Sequence, residues 1–365
     1  MNNIVISARQ FTILVVFFTV GTSLLFIPAL VVGVVMQDAW ITCILSVLIS
    51  LLLVKLYIAV GNIAPNMSLV EINEKVLGKW LGSFVSVTFI FFTFITAGEL
   101  VSFVSSFMNI EIMHDSPAYP FSILFGLVVI MAISLGLETF ARSAEILFVV
   151  FIFLFVAFIL LISPQIRVEN IQPVLEHGPK SMLFSSLLFL SICSLPMVSL
   201  LMIFPVSIRE RKEAEKGFYI GTIIGGGILT IIVTLCILVL NPKYTANSRY
   251  PGYDIAKLIS IGNFIERIEV IMAFMWIITI FFKTLLYFYA SVIGLSRLLK
   301  VKNNRVLTLP LGFILILLAQ FVHPEIIHLD IYNKETWFPL VTTFGLFLPL
   351  LLLLVAKIRK IGGVK

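Results

Sequence analysis

Gly21-Thr22-Ser23, with Pro28 shortly after, and Ser191-Ile192-Cys193-Ser194-Leu195-Pro196 interrupt two long apolar runs of this chain at matching places. A helix inside lipid has no water to satisfy freed backbone groups. Broken helices therefore persist only where protein surrounds them or where they line a cavity. One such break reads equally well as a kink, because Gly and Pro are frequent in membrane helices. Two breaks in corresponding members of two five-helix halves point instead to a binding site near the bilayer midplane.

Composition agrees with a membrane protein. The 365 residues are 60% hydrophobic and 12% charged, with a mean hydropathy of +1.13; soluble domains carry about 25% charged residues. That length holds about ten spans of ~20 residues with short loops. The net charge of +6 does not indicate nucleic acid, since the basic residues fall between apolar runs. Cys43, Cys193 and Cys236 all sit inside apolar runs, which argues against a disulfide framework or a CxxC metal site. The first apolar run follows only Arg9 and lacks an A-x-A end, so it reads as a span and not a cleaved signal.

The pattern predicts spans near 10–35, 39–60, 81–108, 120–137, 143–163, 181–205, 218–241, 265–298, 306–322 and 337–357. Ser7-Ala8-Arg9-Gln10 forms a capping box at the first entry. Asp38 marks the turn between spans one and two, and Ser68–Leu77 reads as a short amphipathic helix at the inner interface. Sixteen Lys and Arg residues fall on one side of these spans and six on the other. The positive-inside rule then places both termini and the Arg209–Lys216 loop in the cytoplasm.

An even span count sets the first five helices (10–163) against the last five (181–357) in opposite orientation. The expected fold is all-α and integral to the membrane: ten transmembrane helices in a LeuT-like 5+5 inverted repeat, with helices 1 and 6 broken, in a single membrane domain.

Several short motifs carry a resemblance. They are Ile6-Ser7-x-x-Gln10, Gly21-Thr22-Ser23-Leu24-Leu25-Phe26-Ile27-Pro28, Leu77-Gly78-Lys79-Trp80-Leu81-Gly82-Ser83 and Ile171-Gln172-Pro173-Val174-Leu175. Phe264-Ile265-Glu266-Arg267-Ile268-Glu269 follows, with Trp276-Ile277-Ile278 and Tyr287-Phe288-Tyr289 behind it. In this order, over essentially the whole chain, they resemble the GerAB/GerKB-type spore germination proteins. The resemblance implies the B subunit of a GerA-type germinant receptor in the spore inner membrane, with the amino acid–polyamine–organocation transporter fold. It implies recognition of a small nutrient beside an A subunit and a lipoprotein C subunit, and no cofactor.

The residues argue separately. Lys283 falls midway along the eighth span, where a charge costs roughly 2.5–3.5 kcal/mol on insertion scales. Thr279, Lys283 and Tyr287 share a helical face at i, i+4 and i+8. In the fold that the resemblance implies, this helix runs beside the first break, where related transporters bind sodium. The ammonium then stands in for that cation and touches carbonyls freed at Gly21–Ser23, or it pairs with a carboxylate. Glu99 is the other deep charge, on one face of the third span with Thr88, Phe92, Thr96, Ser102 and Ser106. Four roles stay open for it: contact with a ligand amine, a proton relay, a pair with Lys283, or a protonated carboxyl holding two helices together.

The expected anchor is the backbone at Gly21 with the hydroxyls of Thr22, Ser23, Ser191 and Ser194, walled by Thr96, Leu195 and Tyr287. Exposed amides at the breaks favour a carboxylate, which tilts the ligand toward an amino acid over a sugar or nucleoside. Other features carry blander readings. His323, Glu325, His328 and Asp330 suit a solvated loop better than a metal site. Glu266, Arg267 and Glu269 suit a packing network or a subunit contact, and Gly225-Gly226-Gly227 a close helix approach. The Arg209–Lys216 run reads as a plain loop or a docking point for a partner's soluble domain. No Gly-x-Ser-x-Gly, Walker loop or metal motif supports an enzyme. A ligand-sensing receptor subunit and an autonomous secondary transporter remain, because fold does not decide function.

Overall fold

The computed structural model describes residues 5–259, 268–301, 303–322 and 332–361. The motif at Phe264–Arg267 and the residues His323, Glu325, His328 and Asp330 lie outside the described residues. The described residues are mostly helical; one isolated bridge joins Ile6 to Ile208. Seven helical stretches among the described residues are long and apolar enough to cross a membrane. Three shorter apolar helices, Ala8–Val20, Tyr119–Leu135 and Arg305–Phe321, accompany them.

The capping box forms: Ser7 Oγ accepts from the Gln10 amide at 3.1 Å and Gln10 Oε1 from the Ser7 amide at 3.0 Å. It opens α1 (Ala8–Val20), which stops at Gly21 with φ +22. After Thr22 the chain resumes as α2 (Ser23–Val35). The first run is therefore two half-helices, not one kinked helix. Met36–Asp38 turns the chain into α3 (Ala39–Ile63). Beyond α4 (Leu69–Leu77) come α5 (Lys79–Phe107), α6 (Tyr119–Leu135) and α7 (Leu137–Ile162).

The second break is of another kind. After α8 (Pro179–Cys193) the backbone tightens into 3₁₀ turns over Leu195–Met202 and does not resume a regular helix. Then follow α9 (Arg211–Leu240), two short helices α10 (Pro242–Asn247) and α11 (Pro251–Lys257), and α12 (Glu269–Leu298). The chain closes with α13 (Arg305–Phe321), a π-helical turn at Tyr332–Trp337, α14 (Phe338–Thr342), a second π-helical turn at Thr343–Phe347, and α15 (Leu348–Ile358).

Small residues let the broken elements pack closely. A Cβ at Gly217, Gly221 or Gly225 on α9 would fall within 2.3–2.7 Å of Thr12, Val15 or Thr19 on α1. This four-residue stripe brings two backbones together, as small residues do between membrane helices. Of the Gly225-Gly226-Gly227 triplet, the first two have close neighbours, whereas nothing lies within 4 Å of a Cβ at Gly227. Phe17 stacks on Phe282 with ring centroids 4.7 Å apart, tying α1 to α12. Thr93 and Ser291 hydroxyls, 2.8 Å apart, tie α5 to α12.

The two ends of the bundle are held by polar contacts. At one end the Ile6 amide donates to the Ser207 carbonyl at 2.9 Å and the Arg209 amide to the Ile6 carbonyl at 3.1 Å. Arg211 bonds Asn62, Gln10 donates to Glu145 at 3.1 Å, and Arg297 pairs with Glu71. The amphipathic α4 does not lie free at an interface: six of its nine residues are buried against the bundle. At the other end, buried Asp38 accepts from the Leu175 and His177 amides at 2.7 and 3.0 Å, and Gln37 donates to the Pro173 carbonyl at 2.9 Å. The Pro173-Val174 loop is thus latched onto the turn between α2 and α3.

Candidate functional site

The two breaks face each other around Lys283. This side chain leaves the middle of α12 with 2% exposure. Its Nζ donates to the Ile192 carbonyl at 3.0 Å and to Thr22 Oγ1 at 3.4 Å, and lies 5.4 Å from the centre of the Phe18 ring. The ammonium therefore bridges both breaks. The carbonyl it reaches belongs to the second break and not, as the sequence suggested, to Gly21–Ser23. The Gly21 carbonyl is taken by Thr279 Oγ1 at 3.0 Å, one turn earlier on the same face of α12.

Gly21 has a steric reason to be glycine. A Cβ there would lie 2.2 Å from Lys283 Cδ, and the local φ of +22 is one that side chains rarely adopt. The close neighbour is the lysine stem, so Gly21 makes room for Lys283. Lys283 forms no ion pair with Glu99 among the described residues. Neither the Lys283–Glu99 pair nor a contact with the Gly21–Ser23 carbonyls is found among the described residues.

A cavity of about 570 Å³ opens between the breaks and the third and eighth spans. Thr22, Thr96, Glu99, Ser191, Lys283 and Tyr287 line it, together with aromatic walls from Phe26, Phe103, Trp337 and Phe338. Tyr287 Oη in this lining is buried without a hydrogen-bond partner among the described residues. The Tyr332 phenol lies beside the Glu99 carboxyl.

Four expected site residues lie elsewhere. Gly21 packs on Lys283, as above. Ser23 Oγ is spent on Cys193 Sγ at 3.2 Å. Ser194 Oγ is 2.5 Å from Ser50 Oγ on α3. Leu195 sits behind the cavity, where its carbonyl lies 3.0 Å from the Tyr57 hydroxyl and closely faces Gly345. Ser191 does line the cavity, but its hydroxyl turns back to the Leu188 carbonyl at 2.7 Å, and its carbonyl accepts from Trp337 Nε1 at 3.2 Å. Thr96 Oγ1 likewise donates to its own helix, at Phe92 O, 2.9 Å.

One wall of the cavity was not expected from the sequence. Ala246–Arg249, at the junction of α10 and α11, closes the cavity from the side opposite the Ile6–Arg209 contacts. The signal was present as paired Pro242 and Pro251, each opening a short helix.

A solved structure of an Eremococcus coleocola manganese transporter mutant superposes with a TM-score of 0.62 at 12% identity, covering 96% of this chain and 76% of that one. The protein therefore has the LeuT-like transporter fold. Glutamine transporter 2 of Aliivibrio fischeri is 26% identical over 231 residues, 61% of this chain and 55% of that protein. Spore germination protein KB of Bacillus subtilis is 32% identical over 364 residues, covering 97% of this chain and 95% of that protein. A profile of the spore germination protein family matches residues 5–325, and the chain belongs to that family.

Proposed function

We propose that this protein is the germinant-sensing subunit of a spore germination receptor. It binds a small nutrient, an amino acid by preference, in the cavity between the broken helices and signals to A-type and C-type subunits in the spore inner membrane. Both termini face the cytoplasm, and residues 10–163 and 181–357 act as inverted five-helix repeats. The observation that carries this reading is the cavity: about 570 Å³, within the 300–1,000 Å³ common for small-molecule sites. Its aromatic walls, the buried Glu99 carboxyl and the unpaired Tyr287 Oη suit a ligand with one apolar part and one hydrogen-bonding part.

A second reading, secondary transport of an amino acid, draws support from the transporter fold and from the likeness to a glutamine transporter. Lys283 favours the receptor. A tethered ammonium bridging Thr22 and the Ile192 carbonyl substitutes for a bound cation that cannot leave, whereas ion-coupled transport needs one that can. Spores lacking only this subunit, tested against single nutrients, distinguish the readings when paired with uptake in proteoliposomes. Loss of one nutrient response without uptake by the isolated protein supports the receptor; robust uptake by the protein alone overturns it.

A further inference from the structure

A second hollow of about 530 Å³ lies outside the ligand cavity. The two share a wall made of Asn247, Ser248 and Arg249, at the junction of α10 and α11. A solute crossing from the outer hollow to the inner cavity passes these three residues. Around this wall three cations, Lys243, Arg249 and Lys257, meet two carboxylates, Glu111 and Asp254. The one acid lining the outer hollow, Asp254, is already engaged: Ser248 Oγ lies 2.5 Å from Oδ2, and Lys257 Nζ lies 3.1 Å from Oδ1. Lys257 also holds Glu111 at 2.8 Å. Arg249 faces no carboxylate within 4.0 Å among the described residues; its guanidinium lies 5.3 Å from the centre of the Tyr250 ring. Lys243 adds a second positive charge to the same hollow.

We propose that Arg249 is the specificity-determining residue at the cavity entrance, admitting ligands that carry a carboxylate and conducting them from the outer hollow to the inner site. This rests on the amino-acid reading given above and extends it to a residue outside the midplane site. A guanidinium offers two parallel donors that match a carboxylate. Hydrogen-bonded to Tyr250 and set beside its ring, it is held in place without a carboxylate partner among the described residues. A charge at a rim acts mainly on association rate and its salt dependence, not on the bound state. A cationic excess at an entrance raises the local concentration of a carboxylate and speeds entry by tenfold or more.

The test uses purified full-length protein in lipid nanodiscs. Trp337 lines the cavity, so its fluorescence reports entry. The twenty L-amino acids are screened on the parent by thermal shift. The best one is compared with its own amide, which keeps the ammonium and side chain but lacks the carboxylate. Association rates are then measured for the parent, Arg249→Gln and Arg249→Lys at low and high salt. Arg249→Gln should slow entry of the free amino acid by about tenfold and remove its salt dependence. It should leave dissociation and the rate for the amide unchanged, and Arg249→Lys should restore most of the rate. Parent-like association and salt dependence in Arg249→Gln overturn the gate while the ligand class stands. No stabilisation of the parent by any of the twenty overturns the ligand class, and the gate with it.

Discussion

Lys283 Nζ donates to the Ile192 carbonyl at 3.0 Å, joining the middle of one helix to the broken end of another 91 residues away in sequence. The same ammonium reaches Thr22 across the first break. One side chain thus holds both interruptions in register, and the carbonyl it serves would otherwise be orphaned. Replacing it by Met removes a buried charge but leaves that carbonyl unpaired. The two effects oppose each other, with the orphan costing about 1–3 kcal/mol. Lys283→Met is therefore expected to accumulate in the spore membrane while losing its nutrient response. Immunoblotting beside a germination assay checks both; a normal response contradicts the bridging role.

Glu99 and Lys283 share a cavity wall but form no ion pair in this geometry. A double-mutant cycle with Glu99→Gln and Lys283→Met should give stability effects that add to within about 0.5 kcal/mol. Thermal melting in nanodiscs measures it. Recovery of stability in the double variant would instead show that the two charges depend on each other.

Gly21→Ala places a Cβ against the Lys283 stem at a positive φ. A loss of about 1–3 kcal/mol is expected from the strained backbone and the overlap. Shortening the neighbour, in a Gly21→Ala, Lys283→Ala chain, should relieve the steric part when compared with Lys283→Ala alone. Equal losses in both backgrounds would remove the lysine from the explanation.

Leu195 and Thr96 separate packing from recognition. Leu195 lies behind the cavity among Tyr57 and Gly345, so Leu195→Ala should cost about 2–5 kcal/mol and leave nutrient preference unchanged. A melting curve and a nutrient panel on the same variant decide it; an altered preference with parental stability would put Leu195 back in the ligand wall.

Glu71 gives the α4 end of the bundle a pH dependence. Burial pushes its carboxyl up, but the Ser68 amide and the Arg297 guanidinium outweigh this and hold it below the ordinary glutamate range. A depressed carboxyl contributes stability that is complete above its unfolded value, about 4.3, and is lost as the pH falls through the folded value. Melting temperature against pH should fall below that range in the parent. Glu71→Gln should start lower at neutral pH and flatten on the acid side; an unchanged acid limb contradicts the assignment.

The fold was legible because its determinants are local. Gly21 and Pro28, the 191–196 run, and the lone deep charges at 99 and 283 stand out against apolar sequence whatever they touch. What the sequence concealed was pairing at long range. Ser23 against Cys193 and Ser194 against Ser50 are hydroxyls that read as ligand anchors until their partners, 170 and 144 residues away, are seen to occupy them. Asp38 reads as a turn residue and is in fact the receiver of two amides from the 173–177 loop. The glycines at 217, 221 and 225 carried a four-residue period that a search for one Gly triplet overlooked.

The most direct test of the account is a nutrient dose–response on spores carrying Thr96→Leu, with subunit abundance measured in parallel. Thr96 lines the cavity and, among the described residues, its hydroxyl bonds only within its own helix, so its replacement changes the shape of the wall without breaking a long-range hydrogen bond seen there. The account predicts parental abundance with a shifted half-maximal concentration or an altered set of effective nutrients. Parental abundance with a parental nutrient profile and half-maximal concentration would contradict the claim that this cavity reads the nutrient.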